Sequence, residues 1–156
     1  MLSKVNVGAR KCAAAEADGD LLSGCQSALE LLLTQRGDPS REVDRLLDEN
    51  PKSLGLHCLR LALIVRADDS GARSTAEQSI ALIEEGTPDL SAHAHRHASA
   101  AHAWLEGNPA LAVLRYDAIL MERPHDILAL AVAHALDFRL GRRRAMRVRS
   151  ARVLRN

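Results

Sequence analysis

Apolar residues recur along this chain with a helical period, and the helical stretches come in pairs divided by glycine. "LLSGCQSALELLLTQR" leads to Gly37, "KSLGLHCLRLALIVRADD" to Gly71, "LSAHAHRHASAAHAWLE" to Gly107 and "DILALAVAHALDFRL" to Gly141. All four are rich in Ala and Leu and free of internal proline. Beyond glycine the periodicity resumes, most clearly in "GARSTAEQSIALIEEGTP" and "GNPALAVLRYDAILMERP". In both, Ala stands five residues after glycine (Ala76, Ala112) and a larger residue nine after (Ile80, Tyr116). Ile follows at twelve (Ile83, Ile119) and Pro at seventeen (Pro88, Pro124). These offsets fall on one stripe of a helix. Glycine permits the tight turn between helices. Proline ends the second helix, because it lacks an N–H and disfavours helix in the residue before it.

The glycines are 34, 36 and 34 residues apart, the spacing of tetratricopeptide helical hairpins. One hairpin cannot bury its apolar stripes alone, so hairpins stack. The pattern predicts an all-α chain, a right-handed α-solenoid of about four helix-turn-helix (tetratricopeptide-like) hairpins over residues 19–156. Residues 1–18 are expected to fray. The outer units are irregular. Pro51 arrives three residues early, which predicts a second helix about one turn shorter. After Gly141, Met146 takes the small-residue place.

The segments "LLTQRGDPSREVDRLLDENPKSLGLHCLRL" and "LSAHAHRHASAAHAWLEGNPALAVLRYDAILMERPHDILALAVAHALDFRLG", with "ARVL", resemble the N-terminal part of the tetratricopeptide repeat protein 38 family. The resemblance spans roughly residues 25–155 and is most specific from His97 to Gly141. It implies a tetratricopeptide-like fold and no particular reaction. The chain departs from the family at Gly141-Arg142, where Gly-Asp is common, and in the all-Arg segment that follows, where acidic residues are usual.

Composition adds four constraints. Aromatic residues make up only 2% of the chain, so the core is built from Ala, Leu, Ile and Val. No run approaches the roughly 18 apolar residues of a membrane span, and the N-terminus has no signal-peptide core, so a cytoplasmic protein is expected. Cys12, Cys25 and Cys58 are odd in number and unrelated in spacing, which reads as reduced thiols and not as a disulfide framework. The net charge of +1 conceals an asymmetry: residues 139–156 carry eight Arg and no acid, leaving 13 basic and 20 acidic residues elsewhere.

The first helix of each hairpin lines the concave face of a tetratricopeptide stack. In that register the groove residues are His97, Ala101, Trp104, Leu128, Phe138 and Arg139, with Cys58, Leu61, Val65, Ala94, Ala131 and Ala135 beside them. A groove with an aromatic and a histidine suits an extended peptide or a helix. The reading that follows is a non-catalytic interaction scaffold for an unknown protein or peptide partner. A homodimer through the C-terminal hairpin is also expected, since Met146, Val148, Val153 and Leu154 leave apolar surface at that end. Two alternatives belong to other classes. "HAHRHASAAH" places His93 and His97 at i and i+4, a workable two-ligand spacing, with His134 as a candidate from the next helix. This would serve a small-molecule or metal-dependent enzyme using helix 93–102. No third ligand is interleaved, so no metal or cofactor is assigned. The Arg-rich tail would suit nucleic acid, but it lacks aromatic residues for base stacking. No phosphate loop or nucleophile elbow is present, and no catalytic residue is assigned. Asp68-Asp69 and Glu84-Glu85 read as solvated charge at helix ends, and Asp126 as the cap of the helix that follows.

Overall fold

The structure is a computed structural model describing residues 37–86 and 88–153. The expected N-terminal segment 1–18, the helix before Gly37, Cys12, Cys25 and Leu154 lie outside the described residues. Every regular element among the described residues is helical: α1 (Pro39–Glu49), α2 (Leu54–Ala67), α3 (Arg73–Glu84), α4 (Pro88–Leu105), α5 (Pro109–Glu122), α6 (Ile127–Arg139) and α7 (Arg143–Val153). A single 3-10 turn, Ser70–Ala72, joins α2 to α3. Among the described residues, no helix is long and apolar enough to cross a membrane.

The chain divides into two compact units, Met1–Ser53 and Leu54–Asn156. In the first, Asp38 caps α1 by accepting from the Ser40 and Arg41 amides at 3.0 and 3.2 Å, and Pro39 occupies the first turn, where no N–H is needed. Arg45 bridges Glu42 and Glu49 along the exposed face. Val43, Leu46 and Leu47 are buried. At 11 residues α1 is three residues shorter than the 14-residue α5, matching the early Pro51, though α3 has only 12.

The second unit contains three helix pairs, α2/α3, α4/α5 and α6/α7. The stripe read from the sequence is its core: Ala76, Ala112, Ile80, Tyr116, Ile83 and Ile119 are all buried. Ala98, Ala101, Ala129 and Ala133 are buried too, and these small side chains let helices approach closely. Each helix packs on the next in sequence, and α2 also packs on both α4 and α6. The α2–α6 contact joins the first helices of hairpins that are not consecutive.

Gly107 and Gly141 turn the chain as expected. Both have positive φ, 76° and 70°. The Asn108 amide reaches back to the Ala103 carbonyl, and the Arg142 amide to that of Asp137, the six-to-one closure of a Schellman cap. Gly71 differs. It lies in the 3-10 turn, and the left-handed residue at the end of α2 is Asp68, with φ 58°. The same closure forms there, from the Asp69 amide to the Ile64 carbonyl. Gly71 therefore keeps the register of α3, while the end of α2 comes three residues earlier.

The tail helix α7 is held by an ion triad in which Arg149 and Asp137 are buried and Asp117 is half-buried. Arg149 is buried and meets Asp117 of α5 at 2.7 Å and Asp137 of α6 at 2.7 Å, with Asp137 0% exposed. Arg142, Arg143, Arg144 and Arg147 are exposed. Met146 is half-buried and Val148 exposed; the side chain of Val153 lies outside the described residues.

Candidate functional site

The expected groove resolves into two pockets, one at each end of α2, α4 and α6. Between them Ala101 is fully buried and offers nothing to a ligand. α2 packs directly on α6, so the first helices of the first and third hairpins of the unit meet.

The pocket at the C-terminal ends of these helices has a volume of about 380 Å³ and brings Trp104 and Arg139 together with Asp68, Arg73, Leu136 and Leu140. Trp104 is half-buried, and its indole Nε1 donates to Asp68 Oδ1 at 3.0 Å. The left-handed turn at Asp68 places that carboxylate beside the indole. Arg139 Nη1 donates to the Val65 carbonyl at 3.1 Å and Nη2 to that of Arg66. Arg73 Nη1 donates to the Leu105 carbonyl at 2.8 Å. Two guanidiniums thus cap the C-termini of α2 and α4, where unpaired carbonyls and the helix dipole favour positive charge. Arg139 has this structural task whatever else it does. Phe138 is 68% exposed, one residue along the chain from Arg139.

The pocket at the N-terminal ends has a volume of about 250 Å³ and includes His97, Leu128, Cys58, His93 and Asp126. One turn of α4 separates His93 from His97, so both imidazoles face the start of α6. Asp126 lies there as the helix cap, its Oδ1 accepting from the Ala129 amide at 2.8 Å, which bears out the sequence reading of that residue. Its Oδ2 is 2.8 Å from His93 Nε2 and 3.0 Å from His97 Nε2. The two rings meet edge to face, with centroids 4.9 Å apart, and His97 also meets the ring of Tyr116 at 5.9 Å.

Burial sets the electrostatics. His97 is only 2% exposed. Its Nδ1 and the Tyr116 hydroxyl have no hydrogen-bond partner among the described residues. Burial pushes the Tyr116 phenol far up, helped by the nearby Cys58 and Asp126. Burial lowers the pKa of His93, and the neighbouring His97 lowers it further, against the pull of Asp126. For Asp126, burial works to raise the carboxyl, but the hydrogen bond and charge of His97 and the Ala129 amide together hold it below its ordinary range.

The structure thus keeps His97 and Leu128 at one end of the unit and Trp104 and Arg139 at the other. His134 does not join the histidines; its Nε2 lies 3.4 Å from Ser150 Oγ, toward α7. The sequence reading missed Asp126 as a partner of His93 and His97, and Asp68 as the acceptor for Trp104. The hairpin itself carries the first signal: one helix pair after α4, the cap of α6 returns beside the first half of α4. Compared with known proteins, the chain matches no family model, no curated protein and no solved structure.

Proposed function

We propose that this protein is a non-catalytic interaction module, a tetratricopeptide-like array of helical hairpins related to the tetratricopeptide repeat protein 38 family, which holds a segment of a partner protein. The observation that carries this reading is the pocket at the C-terminal ends of α2, α4 and α6. There a half-exposed tryptophan, apolar Leu136 and Leu140, and the charged groups Asp68, Arg73 and Arg139 share one opening, with Phe138 exposed beside Arg139. An aromatic anchor ringed by polar groups is the usual composition of a binding hot spot. The occupant is an extended peptide or a short helix, placed at one end of the helices and not along a continuous groove.

Trp104 is the only tryptophan in the chain, so its emission reports on this pocket alone. The test is a random-peptide display screen against the full chain, followed by titration of the enriched peptide while following Trp104 fluorescence. The expected result is a saturable change in the micromolar range, weakened at least about tenfold by Phe138→Asp. Leu114→Asp, at an exposed position on α5, leaves it unchanged. Failure to enrich any peptide, or binding indifferent to Phe138→Asp, overturns the reading.

A further inference from the structure

We propose that His93, His97 and Asp126 form a site for a borderline divalent transition-metal cation, with Zn²⁺ the best match, at the N-terminal ends of α2, α4 and α6. This goes beyond the interaction reading and uses the other pocket.

The geometry comes first. One ring nitrogen each of His93 and His97 and a carboxylate oxygen of Asp126 all lie within 4.8 Å of one another. Both imidazole nitrogens point at the same atom, Asp126 Oδ2, at 2.8 and 3.0 Å. Tetrahedral zinc with bonds of about 2.0–2.1 Å holds its ligand atoms about 3.3 Å apart. A metal enters by replacing the two N–H bridges, with the two nitrogen–oxygen separations opening by a few tenths of an ångström and the imidazoles turning toward a shared ion.

The donor set comes second. Two neutral imidazoles and one carboxylate are a three-ligand set that leaves a coordination position open. Imidazole nitrogen selects against Mg²⁺ and Ca²⁺, which want oxygen. Asp126 is oriented from behind, since its other oxygen is held by the Ala129 amide, as metal-ligating carboxylates are. The adjoining pocket of about 250 Å³, bordered by Gly55, Cys58 and Leu128, has room for water or a fourth ligand.

The third observation is independent of spacing. The Asp126 side chain is only 9% exposed, yet no Lys or Arg pairs with it among the described residues. Its partners are two imidazoles and a backbone amide. These groups favour the carboxylate without setting a permanent cation beside it, and a divalent ion bound between the imidazoles and the carboxylate supplies that charge. The other histidines of the segment are not part of this set: His102 is exposed and lies beside Glu106, and His95 does not belong to the ligand cluster.

The test uses the full chain, stripped with chelator and titrated with Zn²⁺ by calorimetry, and with Co²⁺ while following visible absorption. The expected result is one ion per chain at micromolar affinity or tighter, a low-coordinate Co²⁺ spectrum, and a melting temperature raised by several degrees. His93 is the better position to vary because it is half-exposed. His93→Gln is expected to weaken binding at least about a hundredfold while helical content stays intact. Asp126→Asn, which retains a capping oxygen, weakens it at least about tenfold. The double variant His95→Ala/His102→Ala binds as the parent does. Absence of binding by the parent chain overturns the proposal. So does binding that survives His93→Gln and vanishes in the His95/His102 variant, which marks adventitious capture by surface histidines. None of these outcomes touches the Trp104 pocket, so the two proposals stand or fall separately.

Discussion

Asp68 is the residue at which sequence and structure differ most usefully. A left-handed conformation costs an L-residue about 1–2 kcal/mol, less for Asp than for most. Here the side chain returns something for it, an acceptor for the Trp104 indole at 3.0 Å. We expect Asp68→Gly to leave unfolding free energy within about 1 kcal/mol of the parent, because relieved strain offsets the lost bond. Asp68→Ala keeps the strain and loses the bond, and should cost about 1–2 kcal/mol. Urea denaturation followed by Trp104 emission measures both, and equal stabilities for the Gly and Ala variants would contradict the account. Gly107 and Gly141 were legible as left-handed caps because glycine is the residue such positions favour. Asp68 was not, because an aspartate carries no comparable signal and a glycine three residues later drew the boundary to itself.

At the scale of elements, α7 shows how a charged sequence hides a structural role. Its Arg-rich run reads as a uniformly basic surface, but Arg149 is buried between Asp117 and Asp137. That one guanidinium ties the helix to both α5 and α6, beside the Ser150–His134 contact with α6. The sequence marks eight arginines from 139 to 156 without distinguishing them; only the packing separates Arg149 from its exposed neighbours. Removing one partner of a buried ion pair strands the others, at a cost of about 3–5 kcal/mol. Arg149→Met should therefore destabilise the chain by that order in chemical denaturation, whereas Arg144→Met, at an exposed site, should fall within about 0.5 kcal/mol of the parent. An Arg149→Met variant as stable as the parent would mean that α7 docks by its apolar contacts alone. The same corner sets a pH dependence. Burial and then the charge of Arg149 lower the pKa of His134, against the opposing pull of Asp137 and Asp117. The unfolded chain, with His134 near its ordinary value of about 6.5, binds the proton first. Stability should therefore fall as pH drops from about 6.5 through the lower folded value and level off below it. His134→Gln should flatten that slope without abolishing it, since His93 is shifted the same way. Melting temperatures of the two proteins between about pH 7.5 and 5, a range that brackets the ordinary histidine value, check the sign.

For the second compact unit as a whole, the choice between a solenoid and a closed bundle reduces to the middle of one face. The 34-residue period and the Ala–Ile stripes made the helices, their order and the six buried stripe residues legible, because local periodicity fixes which face of a helix is apolar; Cys58, Leu61, Val65, Ala94, His97 and Ala101, read as groove lining, are buried instead. Periodicity does not fix how far successive hairpins rotate. That depends on side-chain size where helices cross, and the relevant residues here are alanines. Ala101 is fully buried, and α2 packs directly on α6, a contact between the first and third hairpins of the unit. In an open stack the same position would line a groove and tolerate a larger side chain. The substitution Ala101→Leu therefore separates the two arrangements. With the face closed, the added carbons have no space, and overpacking should cost about 1–3 kcal/mol or more. With the face open, Leu would lie in the groove and stability would change by less than about 0.5 kcal/mol. Thermal and urea unfolding of Ala101→Leu beside Phe138→Asp gives the comparison its internal standard. Phe138 is 68% exposed and should be indifferent in either arrangement. A neutral Ala101→Leu would return the site to a single groove running from His97 to Phe138, whereas a destabilised one keeps the metal pocket and the tryptophan pocket as separate places on the molecule.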